Sequence, residues 1–173
     1  SNPGSNPSTL EDNVYSYEVI STDQDQNDST LLTILEKPTW VSFDSNTGII
    51  SGTPTNDEVG SHQFKIRSTD TLGEYTDQSY QLLVINTNDP PIIDSEPLTD
   101  IMMGDKYSYK LEASDVDLND VLSYGSIDLP DWLNLDTASG LLEGQADTLD
   151  PISNNLKLIV SDKEGEVAQQ NFL

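Results

Sequence analysis

Pro38-Thr39-Trp40-Val41-Ser42-Phe43-Asp44-Ser45-Asn46-Thr47-Gly48-Ile49-Ile50-Ser51-Gly52-Thr53-Pro54 is the stretch on which the fold turns. It is written again 92 residues on, with Pro130, Trp132, Asp136, Gly140 and Gly144 at the matching places. In each copy a turn signal, Asn46-Thr47-Gly48 or Ser139-Gly140, separates two short runs rich in apolar residues. Glycine supplies the left-handed conformation that tight turns need, so each copy reads as a β-hairpin.

The same offset holds outward in both directions without a gap. Tyr15, Ser16 and Tyr17 fall on Tyr107, Ser108 and Tyr109, while Asp70, Gly73 and Glu74 fall on Asp162, Gly165 and Glu166. The chain is therefore two copies of one module, and self-similarity at such a period predicts folded repeats. Period-two alternation marks strands, since His62, Phe64, Ile66 and Ser68 alternate with Gln63, Lys65 and Arg67. Val14–Ile20 and Ser79–Ile85 read as further strands, and no segment keeps a helical period over a helical length. Short strands punctuated by turns predict an all-β chain of two tandem β-sandwiches.

Asn86-Thr87-Asn88-Asp89-Pro90-Pro91 marks the junction, because consecutive prolines end a ladder and stiffen a connection. The expected modules are residues 1–91, including the linker, and 92–173. The register places Leu173 opposite Gln81, so the second module's last strand is expected to be cut short. Ser1–Ser8 has a linker composition, and the whole is expected to be an excerpt of a longer array with any secretion signal outside it.

Lys and Arg number 7 against 31 Asp and Glu, a net charge of -24, which is the wrong sign for nucleic acid or anionic membrane surfaces. No run approaches the roughly 18 apolar residues of a membrane-spanning helix. With no cysteine and only His62, disulfides, thiolate chemistry and His-relayed catalysis are excluded. A hydrophobic fraction of 34% with this charge leans toward disorder, and the repeat overrides that tendency. Aromatic residues meet apolar partners in the other copy (Trp40 with Trp132, Tyr80 with Phe172, Tyr75 with Val167), so core positions are expected for them. His62, in phase with Phe64 and Ile66, is expected to be a hydrogen-bonded structural histidine. The acids that recur sit in loops, and no pair is nominated as acid and base, so a non-catalytic chain is expected.

Those acids are the chemically pointed part. Asp23-Gln24-Asp25-Gln26-Asn27-Asp28 and Asp115-Val116-Asp117-Leu118-Asn119-Asp120 each follow a strand. Alternating acids in extended chain put both carboxylates on one side, a donor set for a hard cation such as calcium. Neither is an EF-hand, because Asp28 and Asp120 stand where that loop needs glycine. Asn27-Asp28-Ser29 also matches a glycosylation acceptor. Asp70-Thr71-Leu72-Gly73 and Asp162-Lys163-Glu164-Gly165 each present one more carboxylate at a module end.

Asp115-x-Asp117, Asp162-x-x-Gly165 and Asn86-x-Asn88-Asp89-Pro90-Pro91 resemble the three calcium motifs of cadherin repeats. The Pro38–Pro54 segment and its copy resemble the dystroglycan-type cadherin-like domain of large bacterial surface and secreted proteins. The resemblance implies immunoglobulin/cadherin-like Greek-key sandwiches of seven strands, with Ca2+ where one module meets the next. Asn88 and Asp89 would share ions with Asp115, Asp117 and Asp162, while Glu11, Asp57 and Glu58 would contribute from the first module. Asn86 replaces the usual linker aspartate. Asp23, Asp25 and Asp70 would form the equivalent cluster of the first module. It further implies an extracellular or bacterial cell-surface protein acting in adhesion or spacing, with neighbouring repeats as partners. Calcium-dependent binding of polysaccharide, or a homotypic protein partner, are the alternatives it leaves open.

Overall fold

The computed structural model describes Gly4 and residues 7–23, 29–147 and 154–173, and forms two compact units, Ser1–Thr87 and Asn88–Leu173. Among its described residues the first unit has seven strands: β1 (Ser8–Leu10), β2 (Tyr15–Glu18), β3 (Leu31–Glu36), β4 (Val41–Asp44), β5 (Ile49–Gly52), β6 (Gly60–Thr69) and β7 (Tyr75–Ile85). They form one sheet in the order β1-β7-β6-β3 and a second in the order β2-β5-β4. β1 runs parallel to β7, and the other pairings are antiparallel. The alternation in β6 and β7 turns Phe64, Ile66, Tyr80 and Leu82 inward to meet Tyr15, Val41 and Ile50 from the facing sheet. Ile50 and Leu82 are fully buried, and each such side chain contributes about 1.5–3 kcal/mol of transfer free energy. Phe64 stacks on Tyr80 with ring centroids 4.7 Å apart, and the Tyr15 and Tyr80 hydroxyls hydrogen-bond each other at 3.1 Å. Burial pushes both phenols above their usual range.

The second unit carries β8 (Ile92–Ile93), β9 (Lys106–Lys110), β10 (Ala113–Ser114), β11 (Ser123–Ile127), β12 (Leu133–Asp136), β13 (Leu141–Gln145), β14 (Leu156–Ser161) and β15 (Val167–Phe172). Its sheets are β11-β14-β15 and β12-β13-β9, with a small β10-β8 pair. The sequence offset reappears in the ladders. Tyr17 pairs with Ile50 as Tyr109 pairs with Leu142, and Leu32 pairs with Ser68 as Tyr124 pairs with Val160. Tyr107, Tyr109, Leu142, Leu158 and Val160 form the second core. Both modules are all-β, and among the described residues the one helical segment is a short 3-10 turn, Asn56–Glu58. Among the described residues no helix is long and apolar enough to cross a membrane.

The repeated glycines have steric causes. Gly48 and Gly140 adopt φ of 73° and 72° in the hairpin turns. At Gly52 and Gly144 the backbone of the preceding tryptophan passes so close that a Cβ would lie 2.4 Å and 2.1 Å from the Trp40 and Trp132 carbonyl oxygens.

Two expectations need correcting. The first strand of the hairpin sheet is Tyr15–Glu18, shorter than Val14–Ile20, and Val14 and Ile20 are exposed. Tyr75 and Val167 are not core either, at 58% and 47% exposure. The inward residues of β7 are Gln78, Tyr80, Leu82 and Val84, so the pleat turns Tyr75 outward, where Arg67 lies 3.6 Å over its ring. His62 is structural as expected, with Nε2 hydrogen-bonded to the Glu58 carbonyl.

Candidate metal centre

Three separate pieces of the second module converge: its first residues, the loop between β10 and β11, and the turn between β14 and β15. The Asp115 carboxylate accepts the Asp117 N–H at 2.9 Å, a local turn that fixes the spacing of the two acids. Asp117, 9% exposed, accepts the Asp89 N–H at 2.8 Å, and the carboxylate oxygens of Asp89 and Asp117 come within 4.8 Å of each other. Asn119 then takes a left-handed φ of 69°, which turns the chain back and brings Asp120 beside Asp115. Asp120 Oδ1 accepts the Val121 N–H at 2.6 Å and the Lys163 N–H at 3.3 Å.

Asp162, 6% exposed, opens the β14–β15 turn. Its Oδ1 accepts N–H groups from Gly165 and Glu166, and its Oδ2 accepts the Asn88 side-chain amide at 2.7 Å. Burial alone would raise this carboxyl, but the hydrogen bonds from Asn88 and the turn outweigh it and hold it below its ordinary value. Carboxylate oxygens of Asp115, Asp120 and Asp162 all lie within 4.8 Å of one another. Oδ2 of Asp115 and Oδ2 of Asp120 are buried from solvent without a hydrogen-bond donor.

The residues fit a calcium ion. Calcium–oxygen distances of about 2.3–2.6 Å put ligand oxygens on one ion up to about 5 Å apart, the spacing found here. Buried anionic oxygens that no donor satisfies are costly unless a cation compensates them. The donor set is all oxygen, with Asn88 able to turn its amide oxygen inward, as suits a hard cation.

The structure thus brings together Asn88, Asp89, Asp115, Asp117 and Asp162, and adds Asp120. The remaining expected residues belong to the first unit, Ser1–Thr87. Asn86 is exposed. Glu11 is 1% exposed within the first module, where its carboxylate accepts the N–H of Thr87, the residue preceding Asn88. Glu58 caps its own 3-10 turn by accepting the Thr55 N–H and hydroxyl, bonds that lower its carboxyl's pKa, and Asp57 is exposed. Asp70 holds the β6–β7 turn by accepting the Leu72 and Glu74 N–H groups at 2.9 and 2.8 Å, and Asp23 is exposed. Asp25 and the Asn27 glycosylation match lie outside the described residues.

A family model, He_PIG, "Putative Ig domain", matches residues 2–85 and again 90–173. The chain belongs to this family. Its two immunoglobulin-type domains are also similar to solved cadherin ectodomains. Mouse cadherin-23 EC22-24 aligns over 96% of this chain and 61% of its own length, with 18% identity and a TM-score of 0.60. Human mucin-like protocadherin EC1-2 aligns over 99% and 95%, with 15% identity and a TM-score of 0.60. The protocadherin γB4 extracellular domain aligns over 96% and 32%, with 17% identity and a TM-score of 0.51. At these identities the likeness concerns the fold, and this chain spans between 27% and 61% of the first three solved chains. Comparison with curated proteins found no match.

Proposed function

We propose that this pair of immunoglobulin-type domains is a non-catalytic spacer or adhesion module whose junction is stiffened by calcium. In this reading it belongs to a secreted or cell-surface bacterial protein of the dystroglycan-type cadherin-like kind, with adjoining repeats as its immediate partners. The observation that carries it is the donor-less, solvent-excluded Oδ2 pair of Asp115 and Asp120 beside Asp162. An ion there would be held by Asp115, Asp120 and Asp162, with Asn88 turning its oxygen inward, and Asp89 and Asp117 would hold a neighbouring position. The bound ion supplies positive charge that cancels repulsion among these groups.

The linker is where stiffness would arise. Asn88 and Asp89 are chain-continuous with Pro90 and Pro91, and both are tied to loops of the second module. Thr87, one peptide bond earlier, is tied to the buried Glu11 of the first module. An ion that locks Asn88 and Asp89 therefore removes torsional freedom from the residues between Thr87 and Pro90. Glu11 is the proposed ligand from the first module. Small-angle scattering and a thermal scan, each in calcium and in chelator, test this. Calcium should raise the melting temperature and narrow the distribution of inter-module distances, and superimposable curves would refute it.

A further inference from the structure

An open cavity of about 680 Å³ lies at one end of the first module, where the chain leaves β2 and where β6 turns into β7. Val19, Leu32 and the buried Ile66 give it an apolar floor. Five serine and threonine hydroxyls line its wall: Ser21, Thr22, Thr30, Ser68 and Thr76. In the second module the matching positions are Ala113, Ser114, Leu122, Val160 and Ala168, so four of the five hydroxyls give way to apolar groups. The match is structural as well as sequential, because Ser68 pairs with Leu32 and Thr76 as Val160 pairs with Tyr124 and Ala168. Val160 is fully buried in its core, whereas Ser68 faces the cavity. One ladder thus carries a closed apolar interior in one copy and an opening lined with hydroxyls in the other. Hydroxyls at sandwich-interior positions cost stability unless bonded, and the Ser21 and Ser68 hydroxyls bond each other.

The lining selects its ligand. Hydroxyls both donate and accept, so they match a ring that itself carries many hydroxyls. Asp23, Asp70 and Glu74 add acceptors, and among the described residues no lysine or arginine lines the cavity, so an anionic ligand is repelled. The nearby Arg67 is engaged by Asp77 at 2.7 and 3.0 Å and stacked on Tyr75. The volume lies in the range of small-molecule sites, roughly 300–1,000 Å³. We propose that this cavity binds a neutral sugar unit, through the hydroxyl wall and acidic rim, and does so without calcium.

The test is amide-resolved NMR of the full chain in chelator, titrated with methyl glucoside, methyl galactoside or N-acetylglucosamine to about 50 mM, with glucuronate as the anionic control. At least one neutral sugar should shift the Ser68, Thr76 and Gln78 amides saturably, with glucuronate silent. Ser68→Val and Thr76→Ala, each copying the second module's residue, should weaken that response about tenfold or more. Two variants keep the outcome readable if one disturbs folding. No response to any neutral sugar, an equal response to glucuronate, a response to calcium alone, or an unaltered response in both variants would each overturn the proposal. Because the site lies in the first module and is read in chelator, its failure leaves the calcium reading untouched.

Discussion

Replacing Asp120 by asparagine should stabilise the second module in chelator and reduce the stabilisation it gains from calcium. Asparagine keeps Oδ1, so the Val121 and Lys163 N–H bonds survive, and the change falls on the donor-less Oδ2. With oxygens of Asp115 and Asp120 within 4.8 Å, their repulsion is at least about 0.9 kcal/mol at a water-like dielectric and about 3.5 kcal/mol at an effective dielectric of 20. Asp162 adds repulsion of the same sign. A gain of about 1 kcal/mol or more raises the melting temperature of a module this size by roughly 4–8 °C. In calcium the variant's advantage shrinks. A dissociation constant of about 10⁻⁴–10⁻³ M gives the parent chain about 1.4–2.7 kcal/mol of stabilisation at about 10 mM calcium. If losing one carboxylate weakens binding about tenfold, the variant recovers only about 0.4–1.4 kcal/mol. Calorimetric scans of both proteins in chelator and in calcium read the two effects together. An Asp120→Asn protein that melts lower than the parent in chelator, or gains as much from calcium, would refute the reasoning.

Other consequences follow from residues outside that centre. Asp77, held by Arg67 and Lys65, has its carboxyl drawn down to about 2, so its contribution is complete above the ordinary carboxylate range and disappears as pH falls from about 4 toward 2. Asp77→Asn should therefore lower the urea midpoint of the first module at pH 7 and lower it much less near pH 2. A gap that persists undiminished in acid would contradict the assignment. Gly144→Ala should cost about 2–4 kcal/mol, because its Cβ would lie 2.1 Å from the Trp132 carbonyl oxygen. Gly125→Ala, whose Cβ meets nothing nearer than 4.0 Å, should be within about 1 kcal/mol of neutral in the same denaturation series.

Much of this architecture was legible in the sequence because a gapless repeat makes each position of one copy the structural counterpart of a position in the other. Tyr17 matches Tyr109 in the sequence, and the ladders keep the same offset by pairing them with Ile50 and Leu142. Burial was less legible. Apolar identity shared by Tyr75 and Val167 records a common environment, and only the pleat of β7 shows that environment to be the outer face. The resemblance carried by the linker, the alternating acids and Asp162-x-x-Gly165 named Asn88, Asp89, Asp115, Asp117 and Asp162. Asp120 belongs to the same acidic run, but neither the alternation nor the resemblance names it as a ligand. The signal for its real placement is Asn119, a residue type that tolerates the left-handed turn which folds Asp120 back. The opening in the first module was invisible to the repeat, since it rests on differences between the copies: Ser68 against Val160, Thr76 against Ala168.

The central claim is that calcium binds at one defined place in the second module, and residue-resolved amide shifts during a calcium titration test it most directly. Saturable shifts concentrated at Asp89, Asp117, Val121 and Gly165, persisting at about 0.15 M salt, are the expected result. Shifts scattered over the acidic surface and abolished by salt, or none at all, would contradict it.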